Sequence, residues 1–285
     1  MPPTGALRHE AMPTLYLPLT LTPMNYVNTL LPVINQCESP IARLICIPYS
    51  GGDVYAYSPW ADLMPPGIEL RAVQLPGRGV RLNEPLPTSL KTVAASIADA
   101  VCQLDALPFV LFGHSLGGTL CYETVCRLEA AGSVSHLKHI FLSGCKSPAH
   151  HASKQIAEQD LSDDRIRERL RRYRGTPTEL LEDNDLFELF LPVLRSDFQM
   201  MERYRPSEAP VVRAPVTVFS GKKDQITSEQ IDAWADYAGT YFSKYQFKGG
   251  HFFIHSDRTE VIRRIFQEVE ITTGFRRWRT PSLAR

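Results

Sequence analysis

Apolar residues fall along this chain in two alternating registers. Short unbroken runs rich in β-branched and aromatic residues lie near 43–48, 69–75, 108–112, 137–143, 214–220 and 241–247, the length and makeup of strands buried on both faces. Between them the spacing changes to three and four. Ser89–Leu107 carries Val93, Ile97, Val101 and Leu104 on one stripe, and Thr119–Ala131 is a second helical stretch. This alternation predicts an α/β fold with a mostly parallel central sheet and helices on both faces.

The alternation lapses between Ser147 and Pro210. Helical patterns run there over Asp163–Arg174 and Thr178–Tyr204 with no strand signal, which predicts an inserted helical lid, about 147–210, between the fourth and fifth strands. The first 40 residues differ again. Prolines at 13, 18, 23 and 32 interrupt every apolar run, which argues against a transmembrane helix or a signal peptide. The expected organisation is a Pro-rich, poorly ordered extension over 1–40 with Met12 and Met24 as alternative starts. A main domain follows over 41–270, then a basic, solvated tail over 271–285 around Arg276-Arg277-Trp278-Arg279.

Composition narrows the class. A chain of 285 residues with 44% hydrophobic content suffices for one domain with a sizeable core. Basic and acidic residues balance at 31 each, so neither a nucleic-acid partner held by bulk electrostatics nor stable membrane association is expected. Six cysteines without disulfide or CxxC spacing fit a reducing, cytoplasmic compartment. Cys46 and Cys145 fall in or beside strands as small hydrophobes. Cys121 and Cys126 stand about 140° apart around a helix and chelate nothing as a pair. His136 and His139 flank the start of a strand, and His150-His151 reads as a surface-loop pair. No metal site and no cofactor are expected.

The candidate chemistry begins at Phe109-Val110-Leu111-Phe112-Gly113-His114-Ser115-Leu116-Gly117-Gly118. A buried strand breaks at Gly-x-Ser-x-Gly and passes directly into a helix, the context of a nucleophile elbow rather than of a plain Gly-rich turn. A serine hydroxyl needs a base, and in such folds the order is serine, acid, histidine, each partner beyond a later strand. Pro215-Val216-Thr217-Val218-Phe219 ends at Ser220-Gly221-Lys222-Lys223-Asp224, and Tyr241–Phe247 ends at Lys248-Gly249-Gly250-His251. Ser115 is therefore the candidate nucleophile, His251 the base and Asp224 its orienting acid. Leu116 N–H is the first candidate oxyanion donor. The second comes from the loop after Arg43–Ile47, with Ser50 preferred and Gly51 the alternative.

These residues together resemble the type II thioesterases. The resemblance rests on Pro48-Tyr49-Ser50-Gly51-Gly52, Leu75-Pro76-Gly77-Arg78-Gly79, Gly113–Gly118 and Gly249-Gly250-His251-Phe252-Phe253, with Leu189–Phe198 similar to the family's lid region. It spans Ile41–Val269. Departures are Ser50, where many members carry a small apolar residue, and Arg78, often a histidine. The resemblance implies hydrolysis of acyl thioesters on the phosphopantetheine arm of acyl or peptidyl carrier proteins, editing misprimed or stalled units of a polyketide or nonribosomal peptide synthase. A medium-chain fatty acyl-carrier-protein hydrolase, a general carboxylesterase and a non-catalytic binding protein remain as alternatives. Carriers of this kind are acidic, so Arg165, Arg167, Arg169, Arg171, Arg172 and Arg174 form a candidate docking face, although interleaved Asp163, Asp164 and Glu168 also suit a solvated helix. Phe190, Phe198, Met200, Met201, Phe252 and Phe253 are candidate walls of an acyl pocket.

Overall fold

The computed structural model describes residues 23–152, 161–206 and 210–274. Six strands form one sheet: β1 (Ala42–Ile47), β2 (Ile68–Ala72), β3 (Phe109–His114), β4 (Leu137–Ser143), β5 (Val216–Gly221) and β6 (Phe242–Phe247). Their order is β2-β1-β3-β4-β5-β6, and every neighbouring pair is parallel. The unbroken apolar runs follow from this position. Ile45 and Ile47 turn to one face and Leu44 and Cys46 to the other, all fully buried.

In chain order the helices are α1 (Pro23–Leu30), α2 (Leu90–Cys102), α3 (Leu116–Ala130), α4 (Ala149–Ala152), α5 (Asp163–Tyr173), α6 (Thr178–Glu182), α7 (Asn184–Arg203), α8 (Ser228–Asp232), α9 (Phe253–Ser256) and α10 (Arg258–Thr273). One core cluster joins α1, α2 and α3 to the first face of the sheet; a second joins α10 and the 3₁₀ turns around Tyr57 and Trp60 to the other. Ser89 caps α2 by accepting from the Thr92 N–H. The helix stops at Cys102 rather than running to Leu107. Gln103 and Leu104 bond back three residues, at 3.1 and 3.2 Å, and close the last turn ahead of Pro108.

The expected boundary at residue 40 moves inward. Leu30 and Leu31 are at most 2% exposed within the first core cluster, Val27 is 1% exposed, and Arg71 Nη1 donates to the Leu31 carbonyl at 2.7 Å. Prolines bracket this short helix without breaking it. Pro23 sits at its first position, where no N–H is needed, and Pro32 lies beyond its end. Residues 1–22 and the Arg276–Arg279 tail lie outside the described residues.

Between β4 and β5, α5, α6 and α7 gather their own apolar cluster from Ile166, Leu170, Leu181, Phe187, Leu191, Leu194 and Phe198. The pattern over Thr178–Tyr204 reads as one helix but forms two. Asp183 leaves the helical conformation and accepts from the Leu186 N–H, so it caps α7.

Candidate active site

β3 ends at His114 and α3 starts at Leu116, leaving Ser115 alone to make the turn. Its backbone stands at φ 56°, ψ −117°, a conformation that costs a residue with a side chain about 1–3 kcal/mol. Crowding enforces it. A Cβ on Gly113 would lie 1.9 Å from the Gly117 carbonyl oxygen, and one on Gly117 2.0 Å from that of Ile47. Strand, turn and helix thus meet backbone to backbone, and the same contact brings the start of α3 against the loop after β1.

The other two candidates come from the ends of β5 and β6. Asp224 lies in a turn where its N–H donates to Gly221 O at 3.1 Å and its Oδ1 accepts from the Gln225 N–H at 2.6 Å. Its Oδ2 is 2.8 Å from His251 Nδ1. The two side chains are 1% and 5% exposed. Ser115, Asp224 and His251 line one cavity of about 250 Å³, together with Ser50, Leu170, Tyr173, Phe198, Met201 and Phe252. Rings fix the plane of His251: Tyr173 of α5 stacks on it at 4.5 Å, and Phe252 stands edge-on at 5.2 Å.

His114 packs 5.0 Å from His251 and bonds Ser143 Oγ through Nδ1 at 2.9 Å. Burial, then the neighbouring His251 and His255, hold it well below the usual histidine range. It is neutral at pH 7. Burial and the nearby Asp53 push the Tyr49 phenol up to about 12, so it stays protonated 3.0 Å from His255 Nε2.

The loop after β1 separates its two candidate donors. The Gly51 N–H donates to Asp197 Oδ2 at 2.8 Å, and the Gly52 N–H to Tyr49 O at 2.9 Å. The N–H groups of Ser50 and Leu116 have no hydrogen-bond acceptor among the described residues. Which amide is left over depends on a carboxylate almost 150 residues away, a signal the local sequence does not contain.

Other sequence candidates divide. Phe198, Met201 and Phe252 face the cavity, whereas Met200 and Phe253 are buried in the sheet core and Phe190 is 43% exposed. His151 is not part of a surface loop. It belongs to α4, meets the Tyr204 ring at 5.1 Å and lines the cavity. Sequence reasoning missed the cavity's charged wall, an Arg169–Glu202 pair at 2.9 Å beside Arg205, and the buried Arg78–Asp197 pair.

The five arginines of α5 and Arg174 at its C-cap take different parts. Arg165 pairs with Glu168, Arg167 stacks over Phe187 and Arg169 over Phe198. Arg171, Arg172 and Arg174 line a separate groove with Lys223, and this groove also reaches Tyr173, Asp224 and His251. Among the described residues, no helix is long and apolar enough to cross a membrane, and no group of His, Cys, Asp and Glu is placed to hold a metal ion.

Residues 42–269 match the family model of the thioesterase domain. The chain belongs to the thioesterase family. Gramicidin S biosynthesis protein GrsT of Aneurinibacillus migulanus is 31% identical over 230 residues, covering 80% of this chain and 89% of GrsT. The type II thioesterase BorB from the borrelidin biosynthetic cluster aligns with a TM-score of 0.75 at 28% identity, covering 85% of this chain and 98% of BorB. The medium-chain S-acyl fatty acid synthase thioesterase of Rattus norvegicus is 30% identical over 224 residues, 77% of this chain and 84% of the rat enzyme. The likeness to type II thioesterases read from the motifs is borne out, and so is the parallel α/β sheet.

Proposed function

We propose that this thioesterase is a serine hydrolase that removes acyl groups from the phosphopantetheine arm of acyl or peptidyl carrier proteins, clearing misprimed or stalled units from a polyketide or nonribosomal peptide synthase in the cytoplasm. The observation that carries the reading is the His251–Asp224 pair at 2.8 Å sharing a cavity with the strained Ser115 turn. His251 takes the Ser115 proton as the hydroxyl attacks the thioester carbonyl, then returns a proton to the departing thiol. Asp224 holds the Nδ1–H tautomer and stabilises the imidazolium. The unengaged N–H groups of Leu116 and Ser50 receive the oxyanion, the former at the positive end of α3. Water then attacks the acyl-enzyme by the same route. No metal or cofactor has a part in these steps.

The helices between β4 and β5 act as the lid, with Tyr173 lying between the acyl cavity and the basic groove. Arg171, Arg172, Arg174 and Lys223 give that groove the charge to receive the phosphate end of the arm and the acidic carrier beyond it. The small cavity, with the Arg169–Glu202 pair in its wall, suits short or polar acyl units better than a long alkyl chain. The test presents one short acyl group on a carrier protein, on coenzyme A and as a p-nitrophenyl ester, with Ser115→Ala as the blank. The expected outcome is the highest kcat/KM on the carrier and no turnover above background for the variant. A p-nitrophenyl ester preferred over the carrier would make the enzyme a general esterase, and steep gain with eight- to ten-carbon chains would make it a fatty acyl hydrolase.

A further inference from the structure

Neither Arg78 nor Asp197 lines the cavity, yet together they grip the loop that faces it. Asp197, on α7, has a side chain 0% exposed, and Arg78 is 7% exposed. The guanidinium meets the carboxylate as a fork, Nη1 to Oδ2 at 2.9 Å and Nη2 to Oδ1 at 2.8 Å. Each partner spends a further contact on the loop. Asp197 Oδ2 accepts the Gly51 N–H at 2.8 Å, and Arg78 Nη1 donates to Gly52 O at 3.0 Å. Leu194, also on α7, occupies the place of a Gly51 side chain: its Cδ2 lies 2.6 Å from where a Cβ would be.

The loop held in this way is a four-residue turn closed by Gly52 N–H to Tyr49 O, with Gly51 at φ 77° in its third position, as a type II turn requires. Peptide planarity then fixes Ser50. The Tyr49 carbonyl and the Ser50 N–H share one trans plane and point oppositely, so a carbonyl committed to Gly52 turns the Ser50 N–H outward. Asp197 holds the N–H of the central Ser50–Gly51 peptide and Arg78 the carbonyl of Gly52, so the pair fastens the turn and its closing bond to α7. Stability alone accounts poorly for such a pair, because apolar residues of similar size replace buried ion pairs at little or no cost.

We propose that Asp197, with its charge balanced by Arg78, is a positioning residue for the oxyanion site. It anchors the turn to α7 so that the turn stays closed and the Ser50 N–H stays directed at the developing oxyanion, and it makes that direction depend on where α7 sits. The proposal rests on the serine-hydrolase reading. That reading fails separately, if Ser115→Ala keeps wild-type turnover of p-nitrophenyl acetate.

The test compares Asp197→Asn with the double variant Arg78→Met/Asp197→Leu, which leaves no buried charge unpaired. Three quantities are measured: kcat and KM on p-nitrophenyl acetate, affinity for an alkyl trifluoromethyl ketone that mimics the tetrahedral adduct, and the melting temperature. We expect kcat to fall about 10- to 100-fold in both variants with KM little changed, a fraction of what losing an oxyanion donor outright costs. Ketone affinity falls by the same factor. The double variant recovers melting temperature relative to Asp197→Asn but does not recover kcat. A double variant with wild-type kcat and ketone affinity, or one in which activity returns in step with melting temperature, overturns the proposal.

Discussion

Ser115 is held where its own side chain is a burden. Its φ of 56° suits glycine, which adopts such angles freely, while any Cβ is strained there. Ser115→Gly is therefore expected to stabilise the fold by about 1 kcal/mol. Ser115→Ala, which keeps the Cβ, brings no comparable gain. Both lose at least about a thousandfold in turnover. Urea melts and p-nitrophenyl acetate hydrolysis on the same preparations check the two halves. At this scale the sequence was readable where candidate residues sit beside local punctuation, and the three it singled out line one cavity. Ser115, Asp224 and His251 each follow an apolar run closed by glycine. It was unreadable at Arg78–Asp197, whose partners are 119 residues apart, and for the same reason it could prefer Ser50 over Gly51 only without a backbone orientation.

Among elements, the six strands lie where the apolar runs put them, since a strand buried on both faces must be apolar throughout. Helix ends were less legible. Asp183 splits the Thr178–Tyr204 pattern because a carboxylate at a helix start satisfies free N–H groups better than a continued helix would. α1 was hidden by its prolines, which mark its limits instead of forbidding it. The element with the most direct functional prediction is α5. Arg171 and Arg172 line the basic groove, so Arg171→Glu/Arg172→Glu is expected to lower kcat/KM on an acidic carrier substrate about tenfold relative to the p-nitrophenyl ester, through a slower encounter. The gap should narrow in 0.5 M salt as screening shortens to a few ångströms. Rates measured below saturation at two ionic strengths decide it; an unchanged ratio removes the groove from docking.

For the molecule as a whole, buried histidines set the response to acid. His139 lies between Thr217 and Thr272 and stacks on Phe141 at 4.4 Å. Burial lowers its pKa to about 3, while in the unfolded chain a histidine takes a proton near 6.5. Stability from this group is complete above about pH 6.5 and is lost as pH falls from there towards 3, at up to about 1.4 kcal/mol per unit. His114 acts in the same direction. The urea midpoint should therefore drop between pH 7.5 and pH 5, and His139→Gln should remove part of that drop. Equal slopes in the two proteins would exclude His139 as a source.

The all-parallel sheet also has a consequence in time. No two neighbouring strands are joined by a tight hairpin, so every pairing waits on a crossover, and β1 meets β3 only after β2 and α2 have been made. The elbow at Ser115 is translated more than a hundred residues before Asp224 and His251. On the proposed mechanism, a chain emerging from the ribosome thus carries Ser115 through nearly half of its synthesis before its base is made. On that reading it stays inert until β6 has closed the sheet and His251 has followed.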